Sequence, residues 1–156
     1  VAMLRPHQPF LIVGQAPNQH GDPRRPLEGK LGEQLCHLFG CSWDEYCRHT
    51  QRFNVLPGWP GKQGKGDKFP RHLAQQNASR MRWSFAGCSV LFVGVATAAL
   101  FGVKGPTLRW KPCKEPLIYL AAVLPHPSGI NRWWNNPTHR RAATRFMRST
   151  WRRCHV

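Results

Sequence analysis

Short unbroken apolar runs alternate with stretches in which apolar residues recur every three or four positions. Phe10 to Gly14, Val90 to Gly94 and Ile118 to Leu124 are runs of five to seven residues, the first two ending in Gly, and each reads as a strand buried on both faces. Arg52 to Leu56 is a shorter fourth strand. Between them, Leu31, Leu35, Leu38 and Phe39 fall on one face of a helix, and Ser42-Trp43-Asp44-Glu45 is a capping box that opens another. Further helices are predicted at about Arg71 to Arg82, Ala96 to Phe101 and Pro137 to Arg153. The last has Asn136 as its N-cap and Pro137 in its first turn, with Ala143, Phe146, Met147, Thr150 and Trp151 at core spacing.

Strands alternating with helices predict an α/β fold, a three-layer sandwich around a central, mainly parallel sheet of four strands. No repeat or linker divides the 156 residues, so one domain is expected. The stretch from Pro57 to Pro70 holds too much Gly and Pro to pack as an element and reads as a basic loop. Ligands of such sheets sit beyond the carboxyl ends of the strands, which directs attention to Gly14–Gly32, to Asn54 onward and to Pro125–Asn136.

Charge narrows the class of partner. Lys and Arg number 23 against 7 Asp and Glu, a formal surplus of +16, and such a surface attracts polyanions. Seven Trp interleaved with Arg favour nucleic acid over a membrane, and no apolar run is long enough to span a bilayer. The segment Val1 to Phe10 lacks the apolar core and cleavage site of a secretory signal. The six Cys form no Cys-x-x-Cys pair, so they read as buried thiols of a cytoplasmic protein. A zinc site on Cys36, His37, Cys41 and Cys47 has suitable residue types but the wrong spacing, and helix burial is the preferred reading.

Two strand-end loops carry the candidate chemistry. Gly14-Gln15-Ala16-Pro17-Asn18 turns tightly after the first strand, with neither the Gly-x-Gly-x-x-Gly pattern nor a Lys-Ser/Thr ending of a phosphate loop. His126-Pro127-Ser128-Gly129-Ile130-Asn131-Arg132-Trp133-Trp134 places a His, a Ser, an Arg and two Trp directly beyond a buried strand.

Gly14-Gln15-Ala16-Pro17 and His126-Pro127-Ser128-Gly129 resemble the two signature motifs of the uracil-DNA glycosylase superfamily. Pro26-Leu27-Glu28-Gly29-Lys30-Leu31-Gly32 is similar to its Pro-Phe-x-Gly-x-x-Gly segment, and Val93-Gly94-Val95-Ala96 to its Leu-Gly-x-x-Ala turn. Asn54 falls where that family's base-reading Asn ends a strand. The resemblance covers about residues 10 to 148 and is nearest to the prokaryotic family 4 and family 5 enzymes.

The resemblance implies a monofunctional DNA glycosylase that flips a pyrimidine, hydrolyses its N-glycosidic bond and leaves an abasic site. It implies a base pocket of Gly14, Ala16, Pro17, Asn18, Leu27 and Asn54, with His126 stabilising the leaving base. Ser128, Gly129, Ile130, Asn131, Arg132 and Trp133 would meet the DNA, the larger side chains filling the gap in the stack. Lys30, Lys62, Lys65 and Lys68 would bind phosphates without reading sequence.

Three departures from the family pattern shape the expectation. Gln15 and Ala16 stand where uracil-cutting members carry a water-orienting Asp, Asn or Glu, which leaves Asp22 or Glu28 in the same loop, or Gln15 itself, for the water. Leu27 replaces the stacking Phe, and Asn18 stands at the bulky gate beside C5 of the base. Both changes open the pocket, favouring a bulky C5-modified pyrimidine, such as the glucosylated hydroxymethylcytosine of phage DNA, over uracil. The Cys pattern of the family 4 iron–sulfur cluster is missing, so no cofactor is expected. The partner is DNA, single- or double-stranded, and the protein is expected to act as a monomer away from membranes.

Overall fold

The computed structural model describes residues 10–128 and 131–155. Its strands and helices follow the apolar pattern closely. In chain order the elements are β1 (Phe10–Gly14), α1 (Lys30–Phe39), α2 (Trp43–His49), β2 (Gln51–Asn54), β3 (Lys62–Gln63), β4 (Gly66–Asp67), α3 (Arg71–Met81), β5 (Ser89–Val93), α4 (Val95–Ala99), β6 (Thr107–Cys113), β7 (Tyr119–Leu124) and α5 (Pro137–Cys154). Two 3-10 turns, Arg82–Phe85 and Arg132–Asn135, precede β5 and α5.

The central sheet has the order β2-β1-β5-β7-β6. β1 pairs in parallel with β2 and β5, β5 pairs in parallel with β7, and β6 is antiparallel to β7. The sheet therefore has five strands among the described residues, one more than the four predicted. The fifth, β6, escaped the apolar pattern because it is an edge strand. It carries Arg109, Lys111 and Pro112, its residues are exposed or half-buried throughout, and an edge position tolerates a Pro that lacks an amide donor.

Alternation along the strands sends side chains to two separate cores. Leu11, Val13, Val90, Phe92, Ala121 and Val123 pack against α3 and α4 through Ala74, Ala78 and Ala98. Phe10, Ile12, Leu91, Val93, Ala122 and Leu124 pack against α1, α2 and α5 through Leu35, Tyr46, Ala143 and Met147. Helices thus cover both faces of a mostly parallel sheet, an arrangement compatible with a three-layer sandwich. No described helix is long and apolar enough to cross a membrane.

The predicted caps form. Ser42 Oγ accepts from the Glu45 amide at 3.1 Å while Glu45 Oε2 accepts from the Ser42 amide at 2.8 Å, and Asn136 Oδ1 accepts from the Thr138 amide at 2.9 Å. Within the predicted basic loop, β3 and β4 make a short hairpin, tied back by the Trp59 indole N–H donating to Asp67 Oδ1 at 3.1 Å. Ile118, predicted to begin the third long strand, precedes β7 and is 73% exposed, because the ladder with β5 starts two residues later at Leu120.

Candidate active site

The chain leaves β1 for β2 on one side and returns to β5 on the other, so the carboxyl ends of β1 and its neighbours lie at a switch in strand order. A cleft of about 700 Å³ opens there. Its lining comes mainly from the loop after β1 and the start of α1, Asn54 at the end of β2, and His126 to Ser128 after β7, with Trp43 of α2 and Asp67 of β4 completing the wall.

Asn54 is set by the ladder. It lies in register with Gly14, and the amides of Val55 and Leu56 donate to the carbonyls of Gly14 and Gln15 at 3.0 and 2.8 Å, extending the pairing past the strand ends. A Cβ on Gly14 would stand 2.9 Å from Asn54 Oδ1 and 2.4 Å from Leu27 Cδ2, so only glycine lets both side chains close over β1. Asn54 Oδ1 is buried and has no hydrogen-bond partner among the described residues. An unpartnered buried carboxamide oxygen at the edge of a cleft is an acceptor held ready for a ligand.

Leu27 forms the apolar surface beside Asn54. It is 6% exposed and its backbone is left-handed, φ 57°, the single non-glycine residue in that region among those described. Such a conformation is sparsely populated for a branched aliphatic residue and persists where its surroundings over-determine it. Those surroundings are visible. The Leu27 carbonyl accepts from the buried Tyr46 hydroxyl at 2.8 Å, and the same carbonyl would stand 2.6 Å from a Cβ on Gly32, which leaves that position to glycine.

Glu28 continues the clamp. Burial alone would push its carboxyl up, but hydrogen bonds from Arg25 and Cys47 and the charges of Arg25 and Arg52 more than offset this and hold it below the ordinary carboxylate range. Arg25 Nε donates at 2.8 Å, the Cys47 thiol at 3.4 Å, and Arg52 Nη2 stands 4.0 Å away. Arg52 in turn caps the end of α2 through the carbonyls of Tyr46, Cys47 and Thr50, with its guanidinium 5.0 Å from the Tyr46 ring centroid. The Tyr46–Arg52–Glu28 group thus fixes the loop that presents Leu27.

His126 faces Asn54's cleft from the end of β7. Its surface opens to the cleft, while the protein mass around it desolvates the ring and lowers its pKa below the ordinary histidine value. The shift favours the neutral imidazole. Its backbone carbonyl is held by the Ser128 amide at 2.8 Å, the Trp134 indole N–H at 2.9 Å and Asn131 Nδ2 at 3.3 Å, so Trp134 and Asn131 brace the loop.

The other predicted residues divide. Ala16, Pro17, Asn18, Lys30 and Ser128 line the cleft, as do Asp22 and Glu28. Asn18 Oδ1 accepts from the His20 amide at 3.0 Å in a turn closed by Gly21. Asp22 is half-buried, its pKa lowered first by the Arg24 amide and then by the Arg24 side chain. Gln15 and Gly14 do not line the cleft; Gln15 meets Leu56 through its carbonyl, and Gly14 lies beneath Leu27 and Asn54. Trp133 is half-buried, stacked on His139 at 4.7 Å and 20°, and Arg132 beside it is exposed. Lys62 and Lys65 are exposed on the β3–β4 hairpin, whose Asp67 reaches the cleft. Gly129 and Ile130 lie outside the described residues.

Sequence reasoning missed Trp43, Tyr46, Arg52 and Asp67. Trp43 was visible only as the second residue of a capping box, although an indole in the first turn of a polar helix is an apolar group without an assigned core. Asp67 gave no signal, because its place at the cleft depends on the hairpin. Burial pushes the Cys36 thiol up and the Cys41 thiol up to about 12. No protein-family model matches the chain, and no curated protein matches it.

Proposed function

We propose that the protein is a monofunctional DNA glycosylase with the uracil-DNA glycosylase fold, acting on a flipped pyrimidine with a bulky C5 substituent, such as glucosylated hydroxymethylcytosine. The observation that carries this reading is the convergence on one cleft at the strand ends of Asn54, whose Oδ1 has no partner among the described residues, and His126, whose pKa is lowered. A carboxamide presents one donor and one acceptor side by side, the complement of a pyrimidine's Watson–Crick edge. Leu27 lies against the base, and the +16 surface holds the phosphates on either side.

As the C1′–N1 bond breaks, its electron pair goes to the base, and an N–H of neutral His126 stabilises the charge that builds on the base oxygen. The water oxygen bonds to C1′, its proton passes to solvent, and the base takes a proton to leave as the neutral product. C1′ is already cationic when water arrives, so a strong general base is not required. This suits a cleft in which Glu28 and Asp22 are engaged by Arg side chains. The small Asn18 side chain leaves room near C5, and a cleft of about 700 Å³ is sized for a ligand well beyond a bare base.

The test is alkali-revealed strand cleavage of DNAs carrying uracil, hypoxanthine, hydroxymethylcytosine or glucosylated hydroxymethylcytosine. Fastest cleavage at the glucosylated base is expected. Efficient excision of uracil with no activity on C5-substituted bases would replace the reading with a repair enzyme, and DNA binding without cleavage of any base would replace it with a binding module.

A further inference from the structure

Most of the tryptophans have a packing or hydrogen-bonding role. Trp59 and Trp110 donate to Asp67 and Thr150, Trp134 donates to His126, and Trp133 and Trp151 stack on His139 and His155. Two tryptophans remain exposed, Trp83 at 64% and Trp43 at 38%, and of these Trp43 lines the cleft, its indole N–H without a partner among the described residues. Its position is nevertheless rigid. The capping box fixes the start of α2, the ring lies tilted on Tyr46 at 5.6 Å, and two of its carbons stand 2.9 and 3.0 Å from where a Cβ on Gly32 would be.

Gly32 also locates Trp43 relative to the base site. The Leu27 carbonyl and the Trp43 ring converge over that one glycine, at 2.6 and 2.9 Å from the same missing Cβ. The Trp43 ring and the backbone of Leu27 thus meet at one point of the wall of the cleft that both residues line. His20 and Gln34 also line the cleft, with side chains unpartnered among the described residues. A partly exposed indole in a cleft that also holds imidazole and carboxamide groups matches a neutral polyhydroxylated ring, whose C–H face is apolar and whose edge is all hydroxyl.

Resting on the glycosylase reading, we infer that Trp43 is the platform of a hexose subsite, receiving the sugar attached at C5 of the flipped pyrimidine. A neighbouring base is a poorer occupant, because bases flanking a flipped nucleotide stay stacked in the DNA.

The experiment compares kcat/KM on glucosylated hydroxymethylcytosine DNA with that on hydroxymethylcytosine DNA, for wild type, Trp43→Leu and Trp43→Phe. The ratio of the two values should fall about tenfold in Trp43→Leu and largely survive in Trp43→Phe, which keeps an aromatic face. In a His126→Ala background, Trp43→Leu should weaken binding of the glucosylated DNA about tenfold relative to the unglucosylated one, a readout independent of turnover. A ratio unchanged in both assays overturns the subsite, including the case in which both substrates suffer equally because the cleft wall has collapsed. A wild-type protein inert on every base removes the glycosylase reading itself, and the subsite with it.

Discussion

The Tyr46 hydroxyl donates a 2.8 Å hydrogen bond to the carbonyl of Leu27, joining the buried face of α2 to the one left-handed aliphatic residue of the cleft. Removing the hydroxyl in Tyr46→Phe leaves a buried carbonyl without its partner and frees the strained residue to relax. A stability loss of about 1 kcal/mol is expected in denaturant titration, accompanied by a larger proportional loss of glycosylase activity. Unchanged stability and unchanged turnover would show that the bond does not hold the loop.

Gly14→Ala tests the closure over β1. The added methyl meets Leu27 Cδ2 and Asn54 Oδ1 at separations no real Cβ adopts, so one or both must move. A displacement of this order at the base site should lower kcat/KM by about 100-fold while the protein remains folded. Near-normal activity would mean that Asn54 does not read the base.

His126→Ala should remove about 100-fold or more of the rate and leave DNA binding largely intact, since the donor acts on charge present only in the transition state. Its pH behaviour has a definite sign. The folded state lowers the histidine pKa, so the unfolded chain binds the extra proton first, and stability is lost as pH falls below the ordinary value of about 6.5 through the lowered one. Thermal melting between pH 7 and 5 should therefore show a greater loss in wild type than in His126→Ala. Parallel curves would contradict the desolvated imidazole.

On the proposed function, the charge surplus predicts a DNA affinity steeply dependent on salt. Affinity should fall at least about tenfold between 50 and 200 mM salt, and Lys62→Ala with Lys65→Ala should reduce the slope of log affinity against log salt by about 2. Salt-independent binding would remove the polyanion reading; an unchanged slope in the double variant would place the hairpin away from the phosphates.

Asn18→Tyr restores bulk at the turn closed by Gly21. Excision should shift toward uracil at the expense of the glucosylated base, measured as the ratio of initial rates on the two DNAs. A ratio unmoved by this change would place C5 of the base elsewhere in the cleft.

Strands and helices were legible in the sequence because burial imposes a period that survives without any knowledge of neighbours. β1, β5 and β7 are closed to solvent on both faces, so each reads as an apolar run, and α1 and α5 show one apolar stripe. β6 was illegible for the converse reason: an edge strand needs few apolar residues, and only its ladder with β7 makes it a strand. The loops after β1 and β7 and the Asn ending β2 could be singled out because strand ends in a parallel sheet are where side chains have no core to enter.

What the chain alone determined is which residues are available at those ends: Asn54, His126, the Gly-rich turn and the basic hairpin. The tertiary structure alone decided which of them meet and in what state. Register placed Asn54 over Gly14, and α2, marked in the sequence by its capping box alone, delivered Tyr46 to the Leu27 carbonyl and Trp43 to the cleft wall. Folding also paired Glu28 with Arg25 and Arg52 in the cleft wall and stacked Trp133 on His139. Such pairings depend on distances between segments remote along the chain, and no local pattern of residues encodes those distances.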